Sequence, residues 1–350
     1  GKYHLKWESH TEFVTYTIFG SGVAEKPFDA ETFSVFPDDW LSKAPGARIT
    51  SALIRVEEID NNEDQINGKV DGWFVGEALA ISSVLDQTAV IASDFRLDSA
   101  GHMRFAVFAR KDTGARRVGR IVQRLCEIET YKTLSMLGFT RSRALGPRMG
   151  AIDNELTALM GDMASESAAA EGTLKALLGV STELENLLAK TAFRFGATDA
   201  YNALVNQRIA VLREERFHGR QTFGEFMNRR FDPAMRTVKS TEARLQTMSD
   251  RALRAGNLLR TRVDVERSAQ NQVLLESMDR RADLQLRLQR TVEGLSVVAI
   301  SYYAVNLAAY MLYPVVEPFG VSQGIGTALV TPIMVLIVWL LVRRIRNSIH

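Results

Sequence analysis

The stretch Leu295-Ser-Val-Val-Ala-Ile-Ser-Tyr-Tyr-Ala-Val-Asn-Leu-Ala-Ala-Tyr-Met-Leu-Tyr313 decides how this chain is read. It lies inside a longer segment, Thr291 to Val342, that contains no Lys and no Arg. A second apolar run covers Gly326 to Val342. Each run holds about 17–20 residues, enough for a helix to cross a hydrocarbon core of about 30 Å. A basic residue at mid-membrane costs about 2.5–3.5 kcal/mol on the insertion scale, so its absence is what a span requires. Between the runs, Pro314 to Ile325 carries two prolines, two glycines and one charge, Glu317, and reads as a tight turn. Pro332 falls inside the second run, where a membrane helix tolerates it better than a soluble one does. The expectation is a C-terminal transmembrane hairpin with spans at about 294–313 and 325–342.

The flanks give orientation. Arg280, Arg281, Arg287 and Arg290 precede the first span, and Arg343, Arg344 and Arg346 follow the second. The positive-inside rule therefore puts both flanks, and with them the N- and C-termini, in the cytoplasm, with Glu317 at an extracytoplasmic mouth. Working outward, the roughly 290 preceding residues suffice for two further domains. The formal charge of +2 argues against nucleic acid as a partner. The single cysteine, Cys126, excludes a disulfide framework and fits a reducing compartment. Gly1 begins without a methionine and leads straight into a strand, which suggests truncation at this end.

Residues 1–112 read as an α+β domain of five or six strands. Phe13–Phe19, Arg48–Glu57, Ala78–Leu85, Thr88–Ser93 and Met103–Ala109 are rich in β-branched or apolar residues, with a hairpin turn at Asp86-Gln87. Pro37-Asp-Asp-Trp40 suggests a short helix start. Residues 113–232 read as a helical layer. Ile121, Val122, Leu125 and Ile128 form a face to pack on the sheet, while Arg124 and Glu127 are spaced to pair on another face. Between Pro147 and Pro233 there is no proline, which permits long helices; within that stretch Gly179 ends one helix, Thr182 and Glu185 form a capping box for the next, and Gly219 ends that one. Thr222 and Glu225 form a second capping box, and Asp232-Pro233 starts a new helix. From Pro233 no firm stop occurs before Pro314, so residues 233–290 read as a long stalk continuous with the first span, on the order of 120 Å in all. Gly256 and Gly294 are its weak points, and Leu245, Met248, Ala252, Leu259 and Val263 form its packing stripe. A helix of this length needs lateral partners, and self-association supplies them.

On the first span, Gln289, Val292, Ser296, Ala299, Tyr303, Asn306 and Tyr310 share one face of a helix. Val297, Val298, Val305, Ala308 and Leu312 lie opposite, with Ser301 as the polar exception. Two readings stand side by side: a wet, pore-lining face in a symmetric bundle, or interhelical packing in which small residues allow close approach and Asn and Tyr hydrogen-bond across helices. Gly320-Val-Ser-Gln-Gly324 matches a hydrolase pattern but lacks the strand–turn–helix setting and a nearby histidine. His10 and Glu12 share one side of an expected strand, but two ligands are too few for a metal. The charge-dense segments Asp94–Asp98 and Gly119–Tyr131 read as solvated, ion-paired surfaces, with a subunit interface or a nucleotide surface as alternatives. No catalytic group is evident, so the chain is not expected to be an enzyme, and no cofactor is implied.

Two resemblances rest on these residues. Trp7–Phe13, Asp94–Asp98, Gly119–Leu125, Glu127–Tyr131 and Gln289–Tyr303 resemble an uncharacterised bacterial family of membrane-anchored proteins, which implies an inner-membrane location. The order of parts is similar to that of CorA-type magnesium transporters: an α+β domain, a helical layer, a long stalk helix and a two-span hairpin. Leu295-Ser-Val-Val-Ala looks like the start of their pore helix, and Asn306 falls about where they carry a polar pore residue. That likeness implies a homopentamer in the lipid bilayer, Gln289, Ser296, Tyr303, Asn306 and Tyr310 toward the axis, and a divalent cation as cargo. The family's closing Gly-Met-Asn is replaced here by Tyr313-Pro314-Val315, which implies altered selectivity. The expected function is thus an oligomeric CorA-like channel or transporter, or alternatively a non-conducting membrane-anchored scaffold or regulator.

Overall fold

The computed structural model describes residues 3–37, 39–40, 42–60, 62–164, 170–316 and 323–349. The chain divides into two compact units, Gly1–Arg260 and Thr261–His350.

The first unit is built on a five-stranded sheet. β1 (His4–Ser9) and β2 (Val14–Phe19) form a separate antiparallel hairpin in which Trp7 lies opposite Tyr16. β3 (Ala52–Ile59) leads into α1 (Glu63–Trp73), whose start is capped by the Asn62 side chain accepting from the Gln65 amide at 3.2 Å. β4 (Ala80–Val84), β5 (Ala89–Ser93) and β6 (Met103–Arg110) follow, and β7 (Glu215–Arg216) arrives from far along the chain. The order is β3-β6-β5-β4-β7, with β3 and β6 parallel and the remaining pairs antiparallel. The expected Asp86-Gln87 turn is present but wider: Leu85, Asp86 and Gln87 all take positive φ, at 50°, 58° and 61°. The expected helix start at Pro37–Trp40 is not where the helical turn forms. A 3-10 turn precedes it at Ala30–Val35, Asp39 and Trp40 lie in a turn, and Asp38 is outside the described residues.

Every residue of β4 and β5 is buried, which is why those segments read as continuous apolar runs rather than alternating ones. Alternate residues serve opposite faces. Ile91, Phe105 and Val107 join Ile121, Leu125 and Ile128 on one side, together with Val205, Phe223 and Met227. Val90, Ala92, Ala106 and Phe108 join Ile66, Val70, Phe74 and Phe217 on the other. The face expected at Ile121, Leu125 and Ile128 thus packs on the sheet as its period requires.

The helices are longer than the sequence signals suggest. α2 (Ala115–Ala164) runs 50 residues straight through Pro147. That proline is exposed, so the carbonyl it leaves without a partner faces solvent, while Leu145, Met149, Ile152 and Leu156 hold the helix through a buried stripe. α3 (Ala170–Leu212) runs 43 residues through Gly179 and Thr182. The expected capping box does not form: the Thr182 hydroxyl donates to the carbonyl of Leu178 at 2.8 Å, and Leu177, Val180 and Leu184 carry a buried stripe across the expected break. α3 ends at Leu212, seven residues before Gly219, with Arg213 at φ 48°. α4 (Phe223–Arg230) begins with the expected Thr222–Glu225 capping box, both hydrogen bonds being present.

α5 (Asp232–Val316) is one helix of 85 residues, unbroken at Gly256, Gly294 and Pro314. Leu245, Met248, Ala252, Leu259 and Val263 are buried, as their spacing predicts. In the second unit, α5 is followed by α6 (Gln323–Ile349), which carries Pro332 in its interior. Both are long and apolar enough to cross a membrane. The protein is therefore an α+β unit with long helices and a C-terminal apolar helix.

Candidate functional site

The candidate site lies on the apolar part of α5 and on α6. The helical period of residues 289–310 sorts side chains into two faces, and burial follows that sorting at some positions. Ser301 is 6 % exposed, and Val297, Ala304, Val305 and Ala308 are half-buried. On α6 the less exposed positions are Thr327, Val330, Thr331, Met334, Val338 and Val342, again one stripe at helical spacing, with Val338 at 6 %. The stripe on α5 holds small residues, and Ala and Ser let a partner helix approach closely. The Ser301 hydroxyl is buried there without a hydrogen-bond partner.

Most positions of the polar face expected for the first span are exposed. Gln289 and Ser296 are exposed, Tyr303 and Tyr310 are 72 % and 75 % exposed, and Asn306 is half-buried. Gln289 donates through Nε2 to Glu293 at 3.2 Å, and Ser296 donates through Oγ to the Val292 carbonyl at 2.8 Å. Tyr303 meets Tyr302 edge to face, with ring centroids 5.7 Å apart. At the far end of α6 the Arg343 guanidinium lies over the Trp339 ring at 5.1 Å, an aromatic–basic pair of the type that anchors a span at an interface. On the opposite, apolar side Val298 is 69 % exposed and Leu312 is 43 % exposed. Glu317, most of the turn and most of Gly320–Gly324 lie outside the described residues.

Polar constellations in the first unit are structural ties. Glu12 sits in the bend between β1 and β2, not on a strand beside His10. It accepts two bonds from Arg194, at 2.7 and 3.2 Å, and one from the Tyr201 hydroxyl at 2.6 Å. Burial works to raise the Glu12 carboxyl, but the Arg194 and Tyr201 hydrogen bonds and the Arg194 charge prevail and hold it below the ordinary range. His10 stacks instead on Phe13 at 4.3 Å. No single local pattern in the sequence could join Glu12 to Arg194. The seven-residue spacing of Arg194 and Tyr201, which places them on one helix face, was the available hint.

Glu214 is a second such tie. Its carboxylate accepts from Ser82 Oγ at 2.8 Å and from the amides of Phe223 at 3.0 Å and Gly224 at 2.8 Å, holding the start of α4 to β4. Burial pushes this carboxyl up from its usual range against those three bonds. Asp94, almost fully buried, accepts from the amides of Val75 and Arg96 and from Arg104 at 2.8 Å. The expected Arg124–Glu127 pair is not the one formed: Glu127 is bound by Arg208 and by Gln123, and Arg124 turns to the Val211 carbonyl. Among the described residues no group of three or more His, Cys, Asp or Glu side chains could hold a metal ion.

No curated protein and no solved structure matches the chain, so the expected likeness to CorA-type transporters finds no support there. A family model described as Protein of unknown function (DUF3422) matches residues 1–349, and the chain belongs to that family.

Proposed function

We propose that the chain is an oligomeric membrane protein whose hairpins assemble with the Gln289–Tyr310 face turned inward, forming a CorA-like ion path of altered selectivity. The observation that carries this reading is the division of labour on the first span. Ser301 is buried and Val297 and Val305 are half-buried on one side, while Gln289, Ser296 and Tyr303 on the other side are exposed and Asn306 is half-buried. A polar face turned to lipid is costly, whereas the same face turned to sibling helices or to water is satisfied. Residues 264–290 of α5 support the same conclusion. Val273, Leu274, Leu275, Met278, Leu284, Leu286 and Leu288 are each at least 56 % exposed, an apolar load that a helix in water hides by association.

In this reading the protein sits in a bacterial inner membrane with both termini cytoplasmic. The basic flanks at Arg280–Arg290 and Arg343–Arg346 orient it, and a homopentamer is the assembly that the CorA-like order of parts suggests. The protein acts by conduction, not by catalysis. A non-conducting scaffold is the second reading, favoured by Tyr303 and Tyr310, whose rings would crowd a shared axis.

The test is reconstitution. Purified protein in detergent should form a multi-subunit particle, and liposomes carrying it should show a cation flux that Asn306→Leu alters. An oligomer with no flux in either protein decides for the scaffold. A detergent-solubilised monomer removes both readings.

A further inference from the structure

α2 opens without an acidic residue in its first turn. Instead Arg116, Arg120 and Arg124 follow one another at four-residue spacing, which stacks them on one face. Like charges so placed repel, and the positive end of the helix dipole adds to the repulsion. Arg124 reaches the last turn of α3, where its Nη1 lies 3.5 Å from the Val211 carbonyl oxygen. Arg208 on α3 and Arg213 just after it belong to the same cluster. Burial first, and then the charges of Arg120, Arg208 and Arg213, push the Arg124 guanidinium below its usual range, against the opposing charge of Glu127.

Two carboxylates answer this charge. Glu127 is bound by Arg208, and Asp86 pairs with Arg213 at 2.7 Å on the surface. The carbonyl end of α3 accounts for Arg124 in part, but Arg120 is exposed and makes no ion pair with a carboxylate among the described residues. Of the four guanidinium groups, Arg120 and Arg124 have no carboxylate ion pair among the described residues.

We propose that Arg120, Arg124, Arg208 and Arg213 form a binding site for a doubly charged phosphate group, carried either by a free phosphorylated compound or by an anionic lipid headgroup. The chemistry favours phosphate over a single carboxylate. All four groups are arginine, whose planar fork meets phosphate oxygens two at a time, and one phosphate dianion matches the two groups that have no carboxylate ion pair among the described residues. The cluster lies within the first unit and is independent of the hairpin reading.

The experiment uses the full chain in neutral detergent at fixed ionic strength. Sodium pyrophosphate is titrated by calorimetry and by thermal midpoint, and micelles doped with phosphatidic acid are compared with micelles doped with phosphatidylcholine. Arg120→Gln and Arg124→Gln are each expected to weaken binding about tenfold, the loss of one charge-assisted contact. Pyrophosphate binding that both variants weaken establishes a free-phosphate site. Protection by phosphatidic acid alone, lost in both variants, establishes a lipid site. Failure of every probe to bind overturns the proposal, as does equal binding by the wild type and Arg120→Gln. Because Arg124 also touches the end of α3, the exposed Arg120 variant keeps the test decisive if Arg124→Gln fails to fold.

Discussion

Gly138 on α2 and Thr198 on α3 meet where the two long helices pack without room for a side chain at position 138. A Cβ built on Gly138 would stand 2.1 Å from Thr198 Oγ1 and 2.9 Å from Thr198 Cβ. Thr198 is 2 % exposed, and its hydroxyl is already tied to the Arg194 carbonyl at 2.8 Å, so it has no free direction in which to retreat. Gly138→Ala is expected to destabilise the first unit by about 1–3 kcal/mol, the usual cost of overpacking. Chemical denaturation checks this. The double variant with Thr198→Ala should recover part of the loss, because it removes the two outermost clashing atoms. Additive losses would show that the helices separate for another reason.

The Glu12 tie makes one part of the fold acid-sensitive. Its carboxyl is held below the ordinary range, so its contribution is complete above the unfolded-state value and is lost as pH falls through the folded-state value. Glu12→Gln keeps the shape but removes the charge that Arg194 needs. At pH 7 the variant should be less stable by about 1–3 kcal/mol, the worth of hydrogen bonds to a charged group. Between pH 5 and pH 3 the wild type should fall toward the variant. Parallel stability curves over that interval would remove Glu12 as the source.

Glu214 ties the start of α4 to β4. Glu214→Ala should cost about 1–3 kcal/mol by stranding the Gly224 amide and leaving the Phe223 amide and the Ser82 oxygen only their bond to each other at 3.2 Å. Hydrogen exchange localises the effect: the amides of Phe223 and Gly224 should lose protection first. Unchanged exchange there, with a global loss elsewhere, would contradict a local tie.

These residues also show what could be read from the chain alone. β4, β5 and β6 were legible because strands buried on both faces leave unbroken apolar runs, and the Ile121–Ile128 face was legible because its period matches a helix. The Thr222–Glu225 box was legible because capping is chemistry over three residues. Pro147 and Gly179 misled because a buried stripe on each side outweighs one lost hydrogen bond or one flexible residue. That balance depends on which side of the helix faces solvent, and a single sequence does not print it. Glu12 with Arg194 and Ser82 with Glu214 are joined across 182 and 132 residues, distances at which no local spacing carries information. The two sides of the first span rest on period alone, and Val297, Ser301, Val305 and Ala308 are among its less exposed positions.

Cys126 offers a direct probe of the packing between α2 and its neighbours. Burial, then the nearby Glu127 charge, push its thiol up to about 11. The thiolate is the reactive form, so at pH 7 roughly one thiol in ten thousand is ionised, against a few in a hundred for an ordinary cysteine. Alkylation by iodoacetamide at pH 7 should therefore be slower than for a free thiol by about two orders of magnitude, and should reach the free-thiol rate in denaturant. As the only cysteine in the chain, it reports without mutagenesis. Reaction at the free-thiol rate under native conditions would mean that the segment around Cys126 opens to solvent, and that the sheet-facing contacts of Ile121, Leu125 and Ile128 beside it are not held shut.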